Sequence, residues 1–171
     1  GIARSFREVP VYFMTYLNPV LQYGPASFSM EATRAGVSGV IVPDLPPEEA
    51  PVLGRLSLPL IPLISPTCTE ARIRLIGRLS RAWIYLVALK GVTGTRSVGS
   101  TDLAAFVRRV RKQVSRPLYA GFGISSPADA RCVSRVADGI IVGSALLRIV
   151  EKGGKPRDVE RFVGSLRKAL D

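Results

Sequence analysis

Six short runs of nearly unbroken apolar residues, separated by segments of helical period, constrain this chain more than any other feature. The runs are PVYFMTY (10–16), VSGVIVP (37–43), LPLIPLI (58–64), AWIYLVA (82–88), PLYAGF (117–122) and DGIIVG (138–143). A strand with one wet face alternates apolar and polar residues, whereas a continuous apolar run suits a parallel strand covered on both faces. Between the runs, TEARIRLIGRLS (69–80) places Ile73, Ile76 and Leu79 on one helix face, with Thr69 as N-cap. SSPADARCVSRV (125–136) offers Ser126 as N-cap, Pro127 at the first helical position and Asp129 near the positive helix end. PRDVERFVGSLRKAL (156–170) presents Val159, Phe162, Val163 and Leu166 as an inner stripe. Repeated strand–helix units predict an α/β fold with a parallel sheet. No linker-like or low-complexity stretch divides it, so a single domain over residues 1–171 is expected.

Composition removes several classes of chemistry. Histidine is absent, which excludes a Ser–His or Cys–His pair within this chain. The two cysteines, Cys68 and Cys132, lack metal-ligand spacing and read as reduced, partly buried thiols, with no metal site expected. No apolar run reaches the length of a membrane span, and residues 1–9 are mostly polar, so no membrane partner and a cytoplasmic setting are expected. The formal net charge is +11. In FVRRVRKQV (106–114), Phe106, Val107, Val110 and Val114 form one face, leaving Arg108, Arg109, Arg111 and Lys112 on the other. No aromatics interleave with these charges, as a single-strand nucleic-acid surface requires. Nucleic acid is therefore not the expected partner; an anionic small molecule or an acidic protein is.

Two glycine turns point to the ligand. GFGISS (121–126) and GIIVGSAL (139–146) each carry an apolar run into a helix start, one strand–helix unit apart. GFGISS has Ser126 where a dinucleotide fingerprint needs a third glycine. A (β/α)8 barrel accounts for both turns, because the loops after its last two strands commonly hold a phosphate. Backbone N–H groups at Gly123, Gly143 and Ser144 are then candidate phosphate donors. Simple tight turns would produce the same glycines.

With these stretches in place, the chain resembles the tryptophan synthase alpha subunit family. The resemblance rests on MTYLNPV (14–20), AGVSGVIVPDLPPEEA (35–50), YLVALKGVTGTR (85–96), GFGIS (121–125) and GIIVGSAL (139–146), in the family's order and spacing. It implies a (β/α)8 TIM barrel that cleaves indole-3-glycerol phosphate into indole and glyceraldehyde 3-phosphate. Indole then passes to a pyridoxal-phosphate beta subunit; the alpha chain itself has no cofactor. Carried onto this sequence, the resemblance implies a phosphate grip at Gly94, Gly123, Gly143 and Ser144. It implies an indole pocket of Met14, Tyr16, Ile41 and Tyr85, with Tyr85 and Thr93 in supporting catalytic roles. Asp44 would lie at the face that meets the beta subunit. Taken without the resemblance, Tyr16 and Tyr85 also fit barrel-filling core with polar tips. Asp44 also fits a helix cap, with Glu48 and Glu49 in that helix's first turn.

The resemblance also implies two catalytic carboxylates, a glutamate ending the second barrel strand and an aspartate in the loop after it. Neither has a counterpart in this sequence, so strands one and two are expected upstream of Gly1. The six runs correspond to the third to eighth strands: an incomplete barrel with unpaired edges at 10–16 and 138–143. Proton transfer at two indole atoms needs two groups of suited pKa. The isolated chain is therefore expected to bind glycerol-phosphate-like ligands weakly without turning over. The alternative is a non-catalytic, phosphate-binding or beta-subunit-docking module.

Overall fold

The computed structural model describes residues 5–6, 8–54, 56–87, 100–121 and 123–171, with the side chains of 100–102 excluded. All six apolar runs form strands, shorter than their apolar limits. They are β1 (Val11–Met14), β2 (Val37–Ile41), β3 (Leu60–Ile61), β4 (Leu63–Ile64), β5 (Ile84–Val87), β6 (Leu118–Gly121) and β7 (Gly139–Ile140). β3 and β4 are one pass of the chain interrupted at Pro62. A proline has no N–H for the ladder, so the sheet divides there into the orders β1-β2-β3 and β4-β5-β6-β7. Pro62 still contributes its carbonyl, which accepts from Tyr85 N–H at 3.0 Å. Every pairing is parallel and joins consecutive passes, giving an arc of β/α-barrel type.

The helices are α1 (Leu17–Tyr23), α2 (Pro25–Arg34), α3 (Glu70–Leu79), α4 (Ser100–Arg111), α5 (Pro127–Ser134), α6 (Ser144–Glu151) and α7 (Pro156–Leu170); α3, α5 and α7 fall where periodicity and caps put them, while α1 and α2 are not expected from the sequence. Thr69 caps α3 by accepting Arg72 N–H, and Ser126 caps α5 by accepting Asp129 N–H. Pro127 stands in the first turn of α5, where its missing N–H costs nothing. PEEAPVL folds as a 3-10 helix, Pro47–Leu53, with Glu48 and Glu49 in its first turn. Pro51 inside it leaves no room for a regular α-helical ladder.

The main core lies between the outer face of the sheet and the helices. Ile64, Ile84, Leu86, Leu118 and Ala120 pack there against Ile73 and Ile76 of α3, Phe106 and Val110 of α4, and Leu166 of α7. A second cluster lines the inner face of the arc, where Ile41, Ile61 and Trp83 meet Tyr12, Leu63, Tyr85, Tyr119 and Ile141. Trp83 stacks on Tyr119 with ring centres 4.9 Å apart and meets Tyr12 edge-on at 5.3 Å. Glycines make this aromatic layer possible. A Cβ on Gly39 would lie 2.9 Å from the Tyr12 ring and from the Pro59 carbonyl oxygen. One on Gly121 would lie 2.5 Å from the Tyr85 hydroxyl.

Two sequence expectations are corrected. Val163 is 47% exposed and outside the inner stripe of α7, whose buried line runs through Leu166 and Ala169. A 3.6-residue period carries residues 159, 162, 166 and 169 down one side and leaves 163 off it. Cys132 is exposed on α5, while Cys68 is half-buried; both are free thiols. Among the described residues, no helix is long and apolar enough to cross a membrane.

Candidate functional site

Parallel topology gathers the ends of all strands at one edge of the arc. Of the side chains expected to form the indole pocket, Ile41 and Tyr85 lie on the inner face of the arc. Ile41 is buried there and Tyr85 is half-buried beside Gly121. Met14 pairs in register with Ile41 and follows Tyr12 by two residues, which puts it on the same face. Met14 and Tyr16 are nonetheless 61% and 66% exposed, because β1 pairs only with β2 among the described residues. Met14, Ile41 and Tyr85 thus stand along one open wall rather than in a closed pocket. Burial pushes the Tyr85 phenol above its usual pKa. It stays protonated near neutrality, a hydrogen-bonding group and not a base.

The two glycine turns differ in what they leave available. Gly123 is exposed with φ +60°, a left-handed conformation that a side chain would strain. The helix start beside it is already satisfied. Asp129 Oδ2 accepts from Ser125 N–H at 3.0 Å and Ser125 Oγ–H at 3.1 Å, while Ser126 Oγ accepts from Asp129 N–H. The Ser125 amide, foremost, holds the Asp129 carboxyl below its usual pKa, against a smaller opposing effect of burial. At the next strand, Gly143 is the N-cap of α6 and makes no side-chain cap. A Cβ on Gly143 would meet nothing within 4 Å. The start of α6 is therefore the more open of the two turns. Gly143 and Ser144 are both exposed there. Thr93 and Gly94 lie outside the described residues.

Asp44 does not cap the helix that follows it. Its Oδ1 accepts from Leu17 N–H at 2.9 Å, so it caps α1, 27 residues earlier in the chain. The 3-10 helix has Pro46 at its N-cap and no side-chain cap. Glu48 instead reaches Arg72 of α3 at 3.2 Å. A cleft of about 770 Å³ opens beside these groups, between the end of β2 and the start of α3. Ser65, Thr67 and Cys68 line it, with the Ser65 and Thr67 hydroxyls 2.9 Å apart. Ser65 and Thr67 drew no attention in the sequence, although SPTCT after an apolar run is a hydroxyl-rich turn signal. Among the described residues, no three His, Cys, Asp or Glu side chains come close enough to hold a metal ion.

A family model described as tryptophan synthase alpha chain matches residues 2–169. The chain belongs to the tryptophan synthase alpha chain family. It is 44% identical over 168 residues to the tryptophan synthase alpha chain of Dehalococcoides mccartyi, covering 96% of this chain and 66% of that protein. It is also 44% identical to that of Pelobacter propionicus, covering 95% of this chain and 64% of the relative. The chain thus spans just under two thirds of the length of these relatives. The fold superimposes on tryptophan synthase subunit alpha from Legionella pneumophila with a TM-score of 0.87 at 36% identity. That match covers 99% of this chain and 67% of the other. The α/β architecture expected from the apolar runs is thus that of the tryptophan synthase alpha barrels, over six of the eight strand positions.

Proposed function

We propose that this chain supplies the phosphate-binding and much of the indole-binding wall of a tryptophan synthase alpha subunit. The whole subunit cleaves indole-3-glycerol phosphate to indole and glyceraldehyde 3-phosphate in the cytoplasm. The observation that carries the reading is the shared strand edge: the inner face with Ile41 and Tyr85 ends beside the turns at Gly123 and Gly143. Amides of Gly143 and Ser144 would hold the phosphate, with Gly123 and Gly94 completing the grip. Met14, Tyr16, Ile41 and Tyr85 would contact the indole ring. Thr93 would belong to the loop that closes over it. Asp44 would face the pyridoxal-phosphate beta subunit, and the cofactor stays with that partner. This domain spans residues 1–171.

Cleavage expels a carbon leaving group while a proton is added at one indole atom and removed at another. Asp44 is engaged by the Leu17 amide, and Tyr85, a weaker acid than a free phenol, stays protonated near neutrality. Neither suits the task. The two carboxylates would come, as the resemblance implies, from the end of the second barrel strand and the loop after it, and the 171 residues alone would bind ligand without turnover. Calorimetric titration with glycerol 3-phosphate tests this: weak saturable binding is expected, abolished by Gly143→Asp. Indole release by the isolated chain, removed by Asp44→Asn or Tyr85→Phe, would overturn the division of labour.

A further inference from the structure

The edge of the arc opposite the candidate site carries an unusual charge distribution. Because every strand is parallel, the helix C-termini and the turns leading into β5, β6 and β7 are neighbours there. The last turn of α3 and the turn before β5 carry Arg78 and Arg81. The turn before β6 carries Lys112 and Arg116, and the last turn of α5 with the turn before β7 carries Arg131 and Arg135. All six side chains are exposed, and among the described residues none has an acidic partner. The acidic group within these turns, Asp138, is taken by Arg111 at 2.7 Å and by Leu118 N–H at 2.7 Å.

Helix dipoles account for part of this. Arg78 and Arg131 stand in the last turns of α3 and α5, where a cation is favourable. Arg81 and Arg116 lie beyond their helices, where that attraction has faded. Like charges on adjacent turns repel one another, and nothing described within the chain offsets the repulsion. None of the exposed large apolar residues falls within 78–83, 112–117 or 131–138. A protein partner held at a stable interface needs apolar or aromatic anchors. A single strand needs aromatic stacking platforms. A duplex phosphate backbone needs neither, only cations spread along a surface.

We infer that this rim, formed by the turns before β5, β6 and β7, is a sequence-independent docking surface for the phosphate backbone of a nucleic-acid duplex. The surface is separate from the proposed lyase site and does not depend on it. The sequence alone placed one basic helix face; the fold adds the neighbouring turns that extend it.

The test is fluorescence anisotropy of the 171-residue chain with a labelled 24-base-pair DNA duplex, over roughly 25–200 mM KCl. Six engaged cations give a slope of log K against log salt of about −5. The variant Arg81→Glu/Lys112→Glu/Arg116→Glu is expected to flatten that slope by about 3 and weaken binding at least tenfold at fixed salt. Arg148→Glu/Lys152→Glu/Arg157→Glu makes the same change in net charge at exposed positions elsewhere and is expected to leave affinity within about twofold. Equal losses in the two variants would reduce the effect to net charge and overturn the rim. Absence of binding at the lowest salt would overturn it as well. Displacement of the duplex by polyglutamate at equal charge concentration would reassign the rim to acidic protein and defeat the duplex assignment.

Discussion

On the inner face of the arc, the identity of single residues is set by tyrosines lying over glycines. Tyr12 lies over Gly39, Tyr85 over Gly121 and Tyr119 over Gly139, each ring filling the volume that a neighbouring side chain would occupy. The three sites do not tolerate a methyl group equally. At Gly39 the new Cβ would lie 2.9 Å from the Pro59 carbonyl oxygen, a backbone atom whose position is fixed by accepting Val40 N–H. At Gly139 the nearest atom is a Tyr119 ring carbon at 3.1 Å, which has to yield by only a few tenths of an ångström. Gly39→Ala is expected to cost about 2–3 kcal/mol, the upper range for overpacking, and Gly139→Ala about 1 kcal/mol or less. Urea unfolding of the two variants measures the difference. Equal losses would mean that the Tyr119 ring, stacked on Trp83, is as rigid as backbone. At the candidate phosphate turn the glycine has a different reason. Gly143→Asp meets no steric obstacle, so it is expected to leave the melting temperature within about 2 °C while weakening glycerol 3-phosphate binding at least tenfold by placing a carboxylate beside an anion.

Among the elements, the caps and ties that hold strand to helix were partly legible in the sequence. Thr69 and Ser126 precede helical periods directly, and a cap acts over three residues, so local reading suffices. Ser126→Ala is expected to destabilise the fold by about 1 kcal/mol. Asp44 was not legible in the same way: its partner Leu17 is 27 residues away, and only strand pairing brings them together. Asp138 is similar, binding Arg111 and the Leu118 amide from a different strand–helix unit. Burial acts to raise the Asp138 pKa, but the Leu118 amide and the Arg111 guanidinium outweigh it and hold the carboxyl below its usual value. A carboxyl depressed in the folded state adds stability that is present in full above its unfolded pKa. That stability is lost as pH falls through the folded value. Asp138→Asn is therefore expected to cost about 1 kcal/mol at pH 7, discounted for a partly exposed pair. The difference from the parent should shrink below about pH 4, as the parent carboxyl protonates. Denaturant titrations at pH 7 and pH 3 check this, and a gap that persists at pH 3 would show that the loss is steric.

Across the whole molecule, the apolar runs dictated the order and parallel sense of the strands, because burial on both faces leaves few other arrangements. They did not disclose how the two flanks of the arc are finished. Exposed apolar side chains collect at both flanks: Phe13 and Met14 on β1 with Tyr16 just beyond it, and Leu147 and Val150 on α6 with Val163 on α7. β1 and β7 each have one pairing neighbour among the described residues, and an unpaired strand edge beside apolar surface invites association. The chain covers 66% and 64% of the length of two curated relatives, leaving about a third of each unmatched, and a (β/α)8 barrel has two strand positions beyond the six found here. A polypeptide carrying the part of the Dehalococcoides mccartyi relative that this chain does not match is accordingly expected to bind in a 1:1 complex. Binding should lower the fluorescence of an apolar dye added to the chain and shift the elution of both pieces on size-exclusion chromatography with light scattering. If the proposed function is right, that mixture releases indole from indole-3-glycerol phosphate while neither piece does so alone. Complex formation without indole release would leave the barrel arrangement standing and overturn the catalytic reading. Two pieces that never associate would show that the flanks are shaped for something other than the remaining strands.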